Sequence, residues 1–326
     1  MDNKVLKIGT RESELAVWQA NTVKDLLAEY GYQSELVYIK SEGDLDLQTP
    51  LYEIGVQGIF TRSLDIALLN KRIDLAVHSM KDVPTQLPKG IAQCAVLKRA
   101  SYKDLLVHKG EVSELEAIGF IDGKWVNNDS QTNSKYSPAP FTIATSSIRR
   151  KAQWLNRYPN HNIENLRGNV NTRLRKVDES DWNGAIFAAA GLERINLRPQ
   201  TSVELDWMLP APAQGAIVVV CRDEDVFTYE ACQNFNHEET ACCTKVEKDF
   251  LKTLLGGCST PISALAEIKS EKIVFKGNIF TVDGSRRIDI EKTVSVSDAV
   301  NLGEIAALDL LSNGGKEIAE SIHHER

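Results

Sequence analysis

Phe141-Thr142-Ile143-Ala144-Thr145-Ser146-Ser147-Ile148-Arg149-Arg150 is the stretch on which the fold class turns. Phe141 to Ala144 reads as a strand, the polar residues after it as a tight turn, and helical spacing runs from Ser147 to Tyr158. Outward from there, Ile163 to Leu166 is strand-like, Val170 to Val177 helical, and Ala185 to Ala189 a buried strand. The N-terminal part follows the same scheme. Val5 to Gly9 reads as strand, Glu14 to Tyr30 as helix, Ser34 to Lys40 as strand, about Phe60 to Asn70 as helix and Asp74 to His78 as strand. Strand–helix–strand order with short connections predicts a parallel α/β sheet in each part. Leu209-Pro210-Ala211-Pro212 reads as a hinge, and the apolar run Ala216 to Cys221 is suited to return to the first sheet. The tail changes character: a helix from Glu238 to Leu255, strand-like runs at Ile262 to Ile268, Ile273 to Phe280 and Arg287 to Val294, and a last helix over about Asp298 to Leu311. Grouped strands apart from helices predict a small α+β unit. Trp125 to Pro140, rich in Asn, Ser and Pro, is expected to be a surface insertion.

Composition narrows the function classes. The chain of 326 residues is too long for one ordinary domain, and 42% hydrophobic with 25% charged residues is the make-up of a soluble globular protein. No apolar run reaches the roughly 18 residues of a membrane helix. Met1 to Lys4 passes almost directly into a strand, which leaves no room for a signal or transit peptide. The cysteines at 94, 221, 232, 242, 243 and 258 lack the dense spacing of a secreted scaffold, so reduced thiols and a cytoplasmic protein are expected. A net charge of −7 argues against a general nucleic-acid binder. Against that background Arg149, Arg150, Arg157, Arg167, Arg173 and Arg175 crowd one short region, which points to a particular anionic ligand.

Three places share a strand, a polar turn and a helix with arginine at the junction: Gly9-Thr10-Arg11-Glu12-Ser13, Ala144 to Arg150, and Leu166-Arg167-Gly168-Asn169-Val170-Asn171-Thr172-Arg173. Helix N-termini offer unpaired N–H groups, and arginine adds a planar charged fork that suits carboxylates. Any one of them reads equally well as ordinary helix capping. Together they predict a cleft for a ligand with several negative groups. Asp82 follows the strand Ala76-Val77-His78-Ser79, at the edge of an α/β sheet where ligands bind. A carboxylate there can bond a ligand N–H and offset a positive charge, or merely serve the turn or pair with Lys81. His78 is read as a strand histidine rather than a catalyst. Gly256-Gly257-Cys258-Ser259-Thr260-Pro261 holds a cysteine on a sharp loop after a helix, which exposes its sulfur. A metal site with Cys242, Cys243 and His237 lacks the usual ligand spacing. No P-loop is present, and no G-x-G-x-x-G follows a strand.

Read together, these segments resemble the hydroxymethylbilane synthase (porphobilinogen deaminase) family over nearly the whole chain. The matching stretches are Thr10-Arg11-x-Ser13-x-Leu15-Ala16, Val77 to Pro84, Thr145 to Arg150, and Leu166-Arg167-Gly168-Asn169-Val170-x-Thr172-Arg173. To these are added Ala189-Ala190-Gly191-Leu192-x-Arg194, Pro212-Ala213-Gln214-Gly215-Ala216 and Gly256-Gly257-Cys258-x-x-Pro261. The resemblance implies two periplasmic-binding-protein-like α/β domains flanking a cleft, over 1–105 with 210–233 and over 106–209. A small α+β domain over 234–326 would carry the cysteine loop. It implies a monomer that joins four porphobilinogen molecules head to tail, releasing ammonia, on a dipyrromethane linked by a thioether to Cys258. By the same resemblance Asp82 is catalytic, and Lys81, Asp82, Thr145, Ser147, Arg149, Arg150 and Ala188 hold the cofactor. Arg11, Ser13, Arg149, Arg167, Arg173 and Arg194 would hold the carboxylates of the substrate. No metal, nucleic acid or membrane is expected. The loop Gly55 to Ser63 departs from the family's usual G-x-K-G-L-F-x-K-E: Gln57 removes a positive charge and Ser63 a carboxylate, while Arg62 retains a charge. The rival readings are a non-catalytic two-lobed anion-binding protein, and a transferase using Cys258 as nucleophile with His237 as its base.

Overall fold

The protein is described here by a computed structural model over residues 4–40, 61–116, 118–126, 140–254 and 260–324. Cys258 and its two glycines, the loop with Gln57, and most of the Trp125 to Pro140 insertion lie outside the described residues.

The chain begins with β1 (Leu6–Thr10), α1 (Glu14–Glu29), β2 (Ser34–Tyr38), α2 (Arg62–Leu69), β3 (Leu75–Ser79) and β4 (Ile91–Val96). Helix α1 buries Gln19, Ala20, Val23 and Leu27, the three-and-four spacing of one helical face, and the chain turns at Gly31 in left-handed backbone. It then crosses to β5 (Asp104–His108), α3 (Val112–Glu116), the short hairpin of β6 (Phe120–Ile121) and β7 (Lys124–Trp125), β8 (Thr142–Ala144), α4 (Ile148–Arg157), β9 (Asn162–Glu164), α5 (Val170–Glu179), β10 (Gly184–Ala188), α6 (Ala189–Glu193) and β11 (Ser202–Glu204). A second crossover leads back to β12 (Ile217–Arg222) and α7 (Val226–Gln233). The remainder is α8 (Glu238–Thr253), β13 (Ile262–Lys269), β14 (Lys272–Phe280), β15 (Arg287–Ser295), α9 (Leu302–Leu310) and α10 (Lys316–His324).

Two five-stranded sheets result, in the orders β2-β1-β3-β12-β4 and β11-β5-β10-β8-β9. They are mixed, which corrects the expectation of parallel sheets. β1, β2 and β3 run parallel, as do β8, β9 and β10, but β12 is antiparallel to both its neighbours and so is β5. The reason lies in the crossovers. β12 opens with Ile217 beside Ser79, the last residue of β3, and β5 opens with Asp104 beside Ala188, the last residue of β10. A chain passing straight from the C-terminal edge of one sheet into the same edge of the other must run against its new neighbours. The two sheets therefore present their C-terminal edges to each other, and that is where an α/β sheet binds its ligand.

The third unit is an antiparallel sheet, β13-β14-β15, under helices α8, α9 and α10. Phe250 and Phe275 meet at 5.0 Å in its core. Two corrections belong to local structure. The final helix is followed by α10, beyond Gly314, whose Ile318 and Ile322 pack one turn apart into the same core. Trp125, expected in the surface insertion, instead packs on Phe120 and Trp207 and donates to the Glu204 carbonyl at 2.6 Å.

Candidate active site

Five strand ends carry expected residues to the C-terminal edges of the two sheets. Arg11 and Ser13 follow β1, Lys81 and Asp82 lie in a single 3₁₀ turn after β3, Thr145 and Ser147 follow β8, Arg167 follows β9, and Ala188 closes β10. The turns differ in how far capping accounts for them. Ser147 accepts from the Arg150 N–H at 3.4 Å, and Asn169 from the Thr172 N–H at 2.9 Å, so both cap their helices. Ser13 occupies the same position before α1 but makes no side-chain capping bond, which leaves its hydroxyl for another partner. Thr145 is buried and its hydroxyl accepts from the Ser147 N–H at 3.2 Å, which tightens that turn.

Charge is concentrated around one carboxylate that sequence reasoning passed over. Asp104 is 0% exposed and accepts from Arg149 Nη2 at 2.7 Å, from Arg150 Nη2 at 2.7 Å and Nε at 3.2 Å, and from Gln214 Nε2 at 2.9 Å. Burial pushes its carboxyl up, but Arg149 and then Arg150 more than offset this and hold it well below the usual carboxylate range. Arg149 also donates to the Leu209 carbonyl at 2.7 Å, and Arg150 to the Ile186 carbonyl at 2.9 Å. One buried anion thus serves two buried guanidiniums, and part of each five-donor fork stays available.

More cations surround this pair. Burial takes the Lys81 ammonium down to about 8; Asp82 and Asp104 oppose the fall, while Arg150 and Arg149 add to it. Burial, then Arg150, takes Arg173 down to about 10, with Asp82 opposing and Arg167 adding. These mutual influences put Lys81, Asp82, Arg149, Arg150, Arg167 and Arg173 in one electrostatic cluster. Its positive excess is what a poly-acid relieves. Arg173 Nε is buried without a hydrogen-bond partner among the described residues. Arg194 stands to one side, donating to the Gly215 carbonyl at 2.7 Å and lying 5.7 Å over the Trp18 ring.

Other sequence candidates fall away from this cluster. Arg157 stacks 4.9 Å over Trp207 in the aromatic cluster of the second unit. Arg175 pairs with Glu179 one turn along its own exposed helix face. His237 accepts from the Thr240 N–H and so caps α8 at the end opposite the one leading to Cys258, which leaves the nucleophile reading without its base. His78 is buried, and burial, then Arg11, pushes it down to about 4, so it is neutral at pH 7. Among the described residues no group of three or more His, Cys, Asp or Glu side chains is arranged to hold a metal.

The third unit is stapled to this centre by residues that the sequence reading did not single out. Glu247 of α8, 0% exposed, takes both prongs of Arg99 at 2.6 and 3.1 Å, and also accepts from the Ala213 and Ala266 N–H groups. Lys248 donates to the Val83 carbonyl at 2.6 Å, next to the turn that holds Asp82. Gln153 of α4 bonds the backbone of Leu209 and the Ser263 hydroxyl.

A family profile described as "Porphobilinogen deaminase, dipyromethane cofactor binding domain" matches residues 6–230, and one described as "Porphobilinogen deaminase, C-terminal domain" matches 241–312. A porphobilinogen deaminase of Trichlorobacter lovleyi is 38% identical over 327 aligned positions, covering 99% of this chain and 98% of its own. The chain belongs to the porphobilinogen deaminase family. Its activity is that of porphobilinogen deaminase (hydroxymethylbilane synthase), a transferase of tetrapyrrole biosynthesis, and its first two units form a dipyrromethane-cofactor-binding domain. The full-length match sets aside the non-catalytic anion-binding reading. Solved structures overlap more loosely. The VFT2 domain of Bordetella pertussis BvgS aligns at a TM-score of 0.41 and 11% identity, over 73% of this chain and 90% of that one. The ligand-binding component of a Staphylococcus aureus ABC-type import system aligns at 0.36 and 18%, over 77% and 75%.

Proposed function

We propose that Asp82 is the catalytic residue, with Lys81, Thr145, Ser147, Arg149, Arg150 and Ala188 beside it holding a dipyrromethane tethered by a thioether to Cys258. Arg11, Ser13, Arg149, Arg167, Arg173 and Arg194 bind the acetate and propionate groups of porphobilinogen and the growing chain. The observation that carries this reading is the cationic excess around Asp104, where a single carboxylate neutralises two buried guanidiniums beside three further cations. The unpartnered Arg173 Nε fits a ligand carboxylate, and the Ser13 hydroxyl has no capping duty to give up.

When bound, the dipyrromethane supplies a free pyrrole α-carbon on which the new chain is built. The protein's part is to hold carboxylates and manage charge. Arg149 and Arg150, fixed by Asp104 and by backbone carbonyls, are rigid donors that lose little freedom on binding a carboxylate. Asp82 is half-buried in the same cluster and acts electrostatically on both Lys81 and Arg173. It accepts pyrrole N–H groups and steadies the positive charge that develops on pyrrole nitrogen as each unit is joined and ammonia leaves.

We divide the chain as 1–105 with 210–233, 106–209 and 234–326, with the first boundary moved to precede Asp104, because β5 (Asp104–His108) pairs within the second sheet. A monomer is what the family resemblance implies, and free thiols at Cys94, Cys221, Cys232, Cys242 and Cys243 fit a reducing, cytoplasmic setting; no helix among the described residues is long and apolar enough to cross a membrane. Intact-mass measurement of the purified, active protein tests the tether. The expected adduct equals two porphobilinogen units less their ammonia and is lost in Cys258→Ala. An unmodified mass from active protein rejects it.

A further inference from the structure

The two crossovers between the lobes run side by side and are bonded to each other. Ala100 N–H donates to the Gly215 carbonyl at 3.1 Å, and Arg99 Nε to the Gln214 carbonyl at 2.8 Å. Ala213 and Gly215 both take left-handed backbone, at φ 62 and 86. A Cβ on Gly215 would lie 2.7 Å from the Ser101 carbonyl oxygen, so the turn is pressed against the first crossover. This geometry aims the Gln214 side chain, 1% exposed, into the gap between the lobes. Its amide nitrogen donates to the Tyr102 carbonyl at 2.8 Å and to Asp104 Oδ1 at 2.9 Å, and its amide oxygen accepts from Lys81 Nζ at 3.3 Å. Acceptors on one side and an ammonium on the other fix which way the amide points.

Lys81 belongs to the turn after β3 in the first sheet. Asp104 opens β5 in the second sheet and anchors Arg149 and Arg150. A continuous polar path therefore runs from Lys81 through Gln214 and Asp104 to both arginines. We infer that Gln214 is a positioning residue for the reaction, setting the spacing between Lys81 on one lobe and Arg149 and Arg150 on the other so that one oligopyrrole is gripped from both sides. The inference rests on the role proposed above for those three cations in holding the dipyrromethane on which the chain grows. Glutamine suits the place because it is neutral and both donates and accepts. A glutamate would set a second carboxylate against Asp104, and an apolar side chain would remove an acceptor from Lys81 and a donor from Asp104. The groups acting on Lys81 are Asp82, Arg150, Asp104 and Arg149, with Gln214 as the uncharged contact among them.

The test compares holo-protein carrying Gln214→Met or Gln214→Glu with the parent, reading kcat, KM for porphobilinogen and thermal unfolding from neutral to strongly alkaline pH. Gln214→Met is expected to lower kcat about tenfold while KM shifts by less than about twofold, the signature of a contact that matters in the transition state. The alkaline limb of activity moves to lower pH in Gln214→Met and to higher pH in Gln214→Glu, because the ammonium loses an acceptor in one and gains an anion in the other. Turnover within about twofold of the parent, an unmoved limb in both variants, or activity that falls only in step with folded protein overturns the inference. Arg149→Leu separates the two levels. If it is fully active, the proposed hold on the dipyrromethane itself fails; if it is impaired while Gln214→Met is not, only the role of Gln214 fails.

Discussion

Replacing Asp104 by Asn removes the one anion on which two buried guanidiniums depend. Arg149 and Arg150 are 4% and 6% exposed, so water does not replace the lost charge, and the new amide turns an N–H group towards at least one guanidinium. Breaking one buried pair by removing a partner costs about 3–5 kcal/mol. The carbonyls of Leu209 and Ile186 still hold part of each fork, so the same range is expected here although two pairs share the anion. Against a total stability on the order of 5–15 kcal/mol this is a large fraction. Urea unfolding followed by tryptophan fluorescence reads it, because Trp154, Trp182 and Trp207 all lie in the unit that Asp104 opens. The pH dependence carries a sign. The carboxyl is depressed in the folded state, so its stabilisation is present in full above its unfolded value of about 4 and declines as pH falls towards the folded value. The gap between parent and Asp104→Asn is therefore steady from about pH 4 to neutrality, below the range in which Lys81, itself held up by Asp104, titrates, and it narrows in acid. A difference under about 1 kcal/mol at pH 7, well short of a broken buried pair, refutes the reasoning, as does a gap that widens in acid.

Two further outcomes follow from the same charges. Asp82→Asn is expected to carry the covalent cofactor, by intact mass, yet to lose on the order of 10²–10³ in turnover, the usual effect of deleting one preorganised electrostatic contact; near-normal turnover rules out the role given to Asp82. Affinity of the cofactor-loaded protein for porphobilinogen is expected to weaken at the alkaline pH where Lys81 loses its proton, which lies above the value of about 8 that burial sets without ligand carboxylates beside it. Binding titrations at several pH values check this, and Lys81→Met should flatten the dependence; a slope that survives the substitution assigns it to another group.

Where many candidate residues fall in the fold was legible because that placement obeys local rules. A strand, a polar turn and a helix can be read within ten or so residues, and a sheet of parallel strands sends all such turns to one edge. Arg11, Lys81, Asp82, Ser147, Arg167 and Arg173 each sit at such an edge, as their positions after strands indicated. The amphipathic signal for α10 is equally present in Ile318 and Ile322, but Asn313-Gly314-Gly315 has the composition of a helix end, and only packing makes it a corner. Asp104 left a fainter trace, a lone acid heading the apolar run Leu105-Leu106-Val107. Gln214 lies in a stretch that matched the family, yet nothing about its neighbours along the chain names its partners.

By itself, then, the order of residues determined many of the strands and helices (though not β4, β5, β11, α7 or α10), where the arginine turns fall, and the family to which the chain belongs, since each depends on neighbours within a few turns of chain. Only the tertiary structure decided that β5 and β12 run against their sheets, that Asp104 neutralises arginines 45 and 46 positions away, and that Gln214 meets Asp104 across 110. Those contacts exist because two chain crossings place the C-terminal edges of separate sheets face to face. Pairing over such separations is selected by the packing of whole lobes, for which no local spacing carries a signature.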